Sequence, residues 1–175
     1  DAVAVANNFT NSAGTFDANG LDMSVKDWDS TGGNFISGAN TVTIIASGSI
    51  ISGGSDDNHD FNNLTFIGGG GQTITISGND VDVDGNITHQ TGRINTAVDI
   101  YLAGNYSITN TGAGFGSGVG DLVFDGTGLQ TITNSVGETE SVFSIDVRNT
   151  SVDGVRLDNT IAFRNVAIAA NAVFN

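Results

Sequence analysis

The sequence predicts an all-β chain wound as a parallel β-solenoid, a right-handed β-helix, and three observations carry that expectation. The first is self-similarity. Asn8-Phe9-Thr10-Asn11-Ser12-Ala13-Gly14-Thr15-Phe16-Asp17 recurs 78 positions on as Asn86-Ile87-Thr88-His89-Gln90-Thr91-Gly92-Arg93-Ile94-Asn95. The same unit recurs 19 positions on, with Trp28, Gly33 and Phe35 in the places of Phe9, Gly14 and Phe16. Leu64-Thr65-Phe66 and Gln72-Thr73-Ile74-Thr75 return 58 positions later as Leu122-Val123-Phe124 and Gln130-Thr131-Ile132-Thr133. These offsets are near multiples of 19 to 20 residues, and a fixed period in that range marks stacked repeats. The second observation is period-two alternation of apolar and polar residues, the signature of strands with one buried face. The third is composition: 25 glycines among 175 residues, with abundant Asn, Ser, Thr and Asp, supply many tight turns. A sandwich or barrel shares the short strands but lacks a long-range repeat.

Taken in order, the expected strands are Leu21-Asp22-Met23-Ser24-Val25, Thr41-Val42-Thr43-Ile44, Gln72-Thr73-Ile74-Thr75-Ile76, Val81-Asp82-Val83, Asp99-Ile100-Tyr101-Leu102 and Val142-Phe143-Ser144-Ile145-Asp146-Val147. Clusters such as Ser30-Thr31-Gly32-Gly33 and Gly112-Ala113-Gly114 break them and supply positive φ angles. The repeat places an apolar residue, a Thr/Asp-rich corner, a glycine and a second apolar residue seven positions after the first. Phe9/Phe16, Trp28/Phe35 and Ile87/Ile94 obey it, and Tyr106/Phe115 does so with two inserted residues. Stacked at about 4.8 Å, these side chains form ladders within roughly nine rungs, a rod of about 40 Å. Asn and Thr at corners can hydrogen-bond along the stack. The expectation is one solenoid domain over residues 1–175, less regular from about residue 137, in keeping with a segment of a longer repeat protein. Residues 52–60 and 111–120 interrupt the period. In a solenoid such insertions protrude from one face, often the one that binds.

The net charge of −14 comes from 19 acidic side chains against Lys26, Arg93, Arg148, Arg156 and Arg164. No basic stripe is available to displace counterions, which argues against a nucleic-acid partner. Anionic membrane surfaces are disfavoured for the same reason, and no stretch approaches the ~20 apolar residues of a membrane helix. The absence of cysteine excludes disulfides and thiolate metal sites. The chain opens at Asp1 without an initiator Met, which suggests a mature or excised piece.

The phrases Asn8-Phe9-Thr10-Asn11…Gly14-Thr15-Phe16, Phe35…Gly38…Thr41-Val42-Thr43-Ile44 and Val123-Phe124-Asp125-Gly126…Gln130-Thr131-Ile132-Thr133 resemble the Gly/Thr/Asn-rich repeats of large bacterial surface proteins, adhesin-like and autotransporter-passenger-like β-helices. The resemblance covers most of residues 7–133. It implies a secreted or cell-surface stalk, adhesin or matrix component, with surface glycans as candidate partners. The Asn-Pro pairs of filamentous-haemagglutinin-type secretion domains are absent, since the chain has no proline.

Candidate chemistry is sparse. Asp80-Val81-Asp82-Val83-Asp84-Gly85 matches the start of a calcium loop, and Asp56, Asp57 and Asp60 form a second acidic group. Three carboxylates suit a hard cation, so Ca²⁺ between rungs is a candidate. Thr91 replaces the expected bidentate Glu, and Val81 and Val83 favour a plain strand with aspartates on its wet face. His59 and His89 are expected on the surface, and no ligand spacing pairs them. Scattered arginines and chance carboxylate pairs give no catalytic constellation, so an enzyme is not expected, although some β-helices cleave polysaccharides. Thr41/Thr43, Thr73/Thr75 and Thr131/Thr133 raise an ice-binding face as a further alternative, against their ordinary use in strands. The Asn-x-Ser/Thr matches at Asn8, Asn63, Asn86, Asn105 and Asn149 are what such a composition produces by chance.

The ends, Ala2-Val3-Ala4-Val5 at one and Val166-Ala167-Ile168-Ala169 with Ala172-Val173-Phe174 at the other, are apolar and have no amphipathic helix as a cap. An open rung invites association. The expected role is therefore a non-catalytic structural or adhesive segment of a bacterial extracellular protein. The runner-up is a filament or sheath subunit in which copies stack through their terminal rungs.

Overall fold

The computed structural model describes all residues except 1, 6, 117, 137–140 and 143. Its strands climb in parallel coils of three sides. The chain enters through β1 (Val3–Ala4), β2 (Asn8–Thr10) and β3 (Thr15–Asp17). The next coil is β4 (Met23–Asp29), which spans two sides, and β5 (Asn34–Ile36). Then come β6 (Thr41–Ser52), β7 (Asn63–Ile67), β8 (Thr73–Gly78) and β9 (Val81–Val83). Above them lie β10 (Ile87–Thr96), β11 (Ile100–Leu102), β12 (Tyr106–Ile108), β13 (Ala113–Phe115) and β14 (Leu122–Phe124). The last coils are β15 (Gln130–Asn134), β16 (Ser141–Val142), β17 (Ile145–Val147), β18 (Val155–Asp158), β19 (Ala162–Phe163) and β20 (Val166–Ile168).

The first side runs β1-β4-β6-β7-β10-β12-β15-β18, and every pairing along it is parallel. The chain thus makes about 7 turns. That is close to the expected nine, and the difference lies in rung length. Phe9 pairs Trp28 after 19 residues, whereas Ile50 pairs Ile76 after 26. Corner insertions lengthen some coils, and because they leave the stack they cost the core nothing.

Alternation places the core as predicted. Met23, Val42, Leu64, Ile87, Tyr106 and Ile132 form one buried column on the first side. Trp28 and Ile50 continue the second side from Phe9, and Ile74, Ile94 and Phe115 stack beside them. Val83, Leu102, Phe124 and Val147 line the third. The aromatic residues gather in two groups rather than one ladder. Phe9, Phe16, Trp28, Phe35 and Phe61 pack together at one end, with Phe9 and Trp28 stacked at 4.2 Å. Phe66, Tyr106 and Phe115 surround His89 further along.

The self-match acquires a different meaning. Phe9 and Phe16 do lie over Trp28 and Phe35. Ile87, however, pairs Leu64 and Tyr106 on the first side, while Phe9 sits on the second. Leu64 is likewise on the first side and its match Leu122 on the third. The 78- and 58-residue matches are each out of step with the stack. What repeats is a strand–glycine corner–strand unit, and a three-sided coil can use that unit at any corner.

Two expected strands differ. Leu21 belongs to the turn before β4 and is 38% exposed. The run from Val142 to Val147 is split between β16 and β17 on different sides, and its Phe143 lies outside the described residues. The sequence repetition fades after Val136, yet β17 and β20 stay in register with the strands below. Alternation, not repetition, is what the stack requires.

Candidate functional site

The first-side corner carries an amide ladder. Asn63 Oδ1 accepts the backbone N–H of Asn86 at 2.9 Å, Asn86 Oδ1 that of Asn105 at 2.9 Å, and Asn105 Oδ1 that of Thr131 at 2.7 Å. Inside another corner, Gln130 Nε2 donates to the carbonyls of Leu102 and Gly104, both at 2.7 Å. Asn149 Nδ2 donates to Gln130 Oε1 at 2.9 Å. These contacts satisfy backbone groups that corners leave out of the ladder, the role expected of Asn and Thr.

The two acidic groups meet at the β9 corner. Val81 and Val83 point into the core and Asp82 outward, so this segment is a strand. Asp60 is half-buried, and its Oδ1 has no hydrogen-bond partner. Desolvation, then repulsion from Asp82, Asp84, Asp57 and Asp56, raises its pKa to about 7. Asp82 is raised to about 6 by desolvation and by Asp125 and Asp84. Asp80 has another task, accepting the backbone N–H of Asp99 at 3.0 Å. Asp56 holds His59 Nδ1, and that hydrogen bond keeps its carboxyl below the usual range. Among the described residues no three carboxylates or imidazoles converge closely enough to share a metal ion. On the same outer face Arg148 bonds Asp146 at 2.7 Å and Tyr101 Oη at 3.3 Å, with its guanidinium 5.5 Å from the Tyr101 ring centre.

His89 corrects the expectation of a surface histidine: it is fully buried. Thr88 and Gln90, its neighbours on β10, face outward, so alternation itself turns His89 inward. Its Nε2 lies 2.9 Å from the Gly92 carbonyl and must donate, which leaves Nδ1 to accept from Tyr106 Oη at 2.9 Å. Desolvation lowers its pKa to about 4. It is a neutral core residue with no path to solvent and so has no part in proton transfer with a ligand. His59 is half-buried in the 52–60 corner.

A cleft of about 500 Å³ opens on the second side, lined by Thr75, Ser77, Asn95, Ala97, Gly118, Val119 and Arg164, with Ile76 and Thr96 beneath. Register explains its shape. Asn95 lies directly above Thr75 on the outer face, and Ala97 follows Ser77 on the next row. One coil higher the chain runs through Gly116, Gly118 and Gly120. A Cβ at these positions would collide with the Asn95 carboxamide and with the Thr96 and Val98 carbonyls, so only glycine allows this close approach. Missing side chains there leave the depression. Arg164 enters two coils above and donates from Nη2 to the Gly118 carbonyl at 3.3 Å. The 111–120 interruption is thus partly β13 and partly, through Gly118 and Val119, the wall of this cleft. Its G-x-G-x-G spacing was the available signal, whereas nothing local placed Arg164 beside it.

Comparison with protein-family models, curated proteins and solved structures finds no match. Among the described residues no helix is long and apolar enough to cross a membrane.

Proposed function

We propose that the chain is a non-catalytic structural or adhesive segment of a bacterial extracellular or cell-surface protein. The supporting observation is the uninterrupted parallel stack from β1 to β18, with one apolar core along its length and polar corners outside. Such a coil gains each increment of length by nearest-neighbour stacking, which suits a spacer that presents its faces sideways. Cation binding at the Asp56/Asp57/Asp60 and Asp80/Asp82/Asp84 corner is left out of this proposal, because among the described residues no three of these carboxylates converge on one ion.

A glycan array read for retention, together with a reducing-end assay, tests the main reading. Retention without new reducing ends is the expected result. Release of reducing ends would overturn the non-catalytic reading, and no retention on any surface would remove the adhesive part.

A second reading is end-to-end association. Among the described residues the outer strand β20 pairs only β17, which leaves its other backbone edge to a further parallel strand, and it exposes the apolar side chains of Val166 and Ile168. Sedimentation tests it: assembly that Ile168→Lys abolishes supports it, and a monomer at every concentration removes it.

A further inference from the structure

We infer that the first side of the coil is an ice-binding face, on which rows of hydroxyl and amide side chains meet the oxygen lattice of a crystal surface. This goes beyond the structural or adhesive role above, and its test does not depend on glycan retention. Register makes the face. Ser24, Thr43, Thr65, Thr88, Ser107 and Thr133 pair one above another, each between buried neighbours and turned outward. Two residues earlier, Thr41, Asn63, Asn86, Asn105 and Thr131 form a second row. The slips in strand pairing, after Val25 and after His89, fall outside both rows. Of the Thr-x-Thr pairs, Thr41/Thr43 and Thr131/Thr133 belong to this face, whereas Thr73/Thr75 lies on the second side.

Spacing, rigidity and neutrality select the ligand. The rows repeat at about 4.8 Å up the axis and stand about 6.6 Å apart along the strands, and from Thr43 to Thr133 they run about 19 Å. Those two repeats are close to the two oxygen repeats on a prism face of hexagonal ice, so successive side chains fall in phase with successive lattice sites. Threonine is stiff at χ1. The second row is pinned by the amide ladder at 2.9, 2.9 and 2.7 Å, and Thr131 Oγ1 donates to Asn105 Oδ1 at 3.0 Å. Side chains already held in place lose little freedom on binding.

The chain carries a net charge of −14, yet neither row holds a charged side chain from Thr41 to Thr133. The charges stand on the other sides, with Asp27, Asp29 and Arg93 facing out from the second and Asp82 and Asp146 from the third. Arg156 and Asp158, one rung above Thr131 and Thr133, pair with each other at 2.8 Å and close the neutral strip. The rows contain no Trp, Tyr or Arg to anchor a protein partner and no ring to stack on a sugar. A water lattice requires neither.

Slow freezing of the full chain onto a cold finger, with its concentration measured in the ice and in the remaining liquid, tests the face. Microscopy of ice crystals growing in its solution is the second readout. The expected result is enrichment of the chain in the ice and faceting of the crystals. Thr65→Tyr and Thr88→Tyr each place a ring in the middle of the hydroxyl row and are expected to lose both effects. Tyrosine suits an outward strand position, so the melting temperature is expected to hold. Thr73→Tyr makes the same change on the second side and is expected to keep both effects. Microcrystalline cellulose serves as a second, non-ice lattice.

Exclusion of the unaltered chain from the ice overturns the inference, as does uptake that survives Thr65→Tyr and Thr88→Tyr together. Equal loss in Thr73→Tyr shows that uptake does not depend on this face and overturns it as well. Binding to cellulose without uptake into ice, abolished by Thr88→Tyr, hands the face to a polysaccharide and removes ice as its ligand. Ice uptake lost only in the first-side variants supports the inference, whether or not any glycan surface retains the chain.

Discussion

At the scale of single residues, the charges that matter are those the coil has half-hidden. Asp60 and Asp82 are raised to about 7 and about 6, against 3.8 for an ordinary carboxyl. Between pH 4 and 7 the folded chain therefore holds protons that the unfolded chain has lost, and these groups weaken the fold as pH rises through that window. Asp60→Asn is expected to raise the melting temperature at pH 8 and to leave it nearly unchanged at pH 4; an equal shift at both would refute this. His89 works in the opposite direction. Its folded value of about 4 against 6.5 means that the unfolded chain takes up the proton first. Stability is lost on acidification from pH 6.5 towards 4, and a neutral replacement that keeps the fold should lose that slope. Tyr106→Phe removes the hydroxyl that donates to His89 Nδ1 and is expected to cost about 1–3 kcal/mol in urea unfolding. Much of this was invisible in the sequence. His89 stands in an Ile-Thr-His-Gln-Thr run where alternation from Ile87 turns it inward, and the register of β10 on β7 and β12 decides which rings surround it.

At the scale of elements, the first corner is made by bending a strand instead of ending it. In β10 the pairing slips between His89 and Thr91, and Gly92 follows with φ +90°. A Cβ at Gly92 would lie 2.7 Å from Gly68 Cα. Gly92→Ala therefore meets both backbone strain and a backbone contact, and the expected loss is about 1–3 kcal/mol, measured by chemical denaturation. Trp28→Ala should cost more, about 3–5 kcal/mol, because a fully buried ring is removed from between Phe9, Phe35 and Phe61. Trp28→Phe should cost less than the alanine change, since the indole N–H has no partner in the core. The positions of strands and corners were largely legible from alternation and glycine. Which side each strand occupies was not, because one strand–corner–strand unit serves three equivalent sides.

At the scale of the whole molecule, the backbone of each coil pairs with that of its neighbours, so stability is close to a sum of local terms and need not be uniform along the axis. The middle coils, with Ile74, Ile76, Val81, Val83 and Leu102 wholly buried, are expected to protect their amides from hydrogen exchange longest. Among the described residues the outer strands β1 and β20 pair on one side only, and they should exchange first. Equal protection from end to end would show instead that the rod unfolds as a single unit.

The sequence by itself determined that this chain is a parallel β-coil, that alternate residues form its core, and that Asn, Gly and Thr turn its corners. Those properties depend on local periodicity, which any short stretch displays. The tertiary structure decided the rest. It set the register that places His89 against Tyr106, brought Asp60 near Asp82 and Asp84, and laid Arg164 against Gly118. Each of these joins residues on different coils, and the variable length of the corners, from one rung to the next, erases such neighbours from a fixed period.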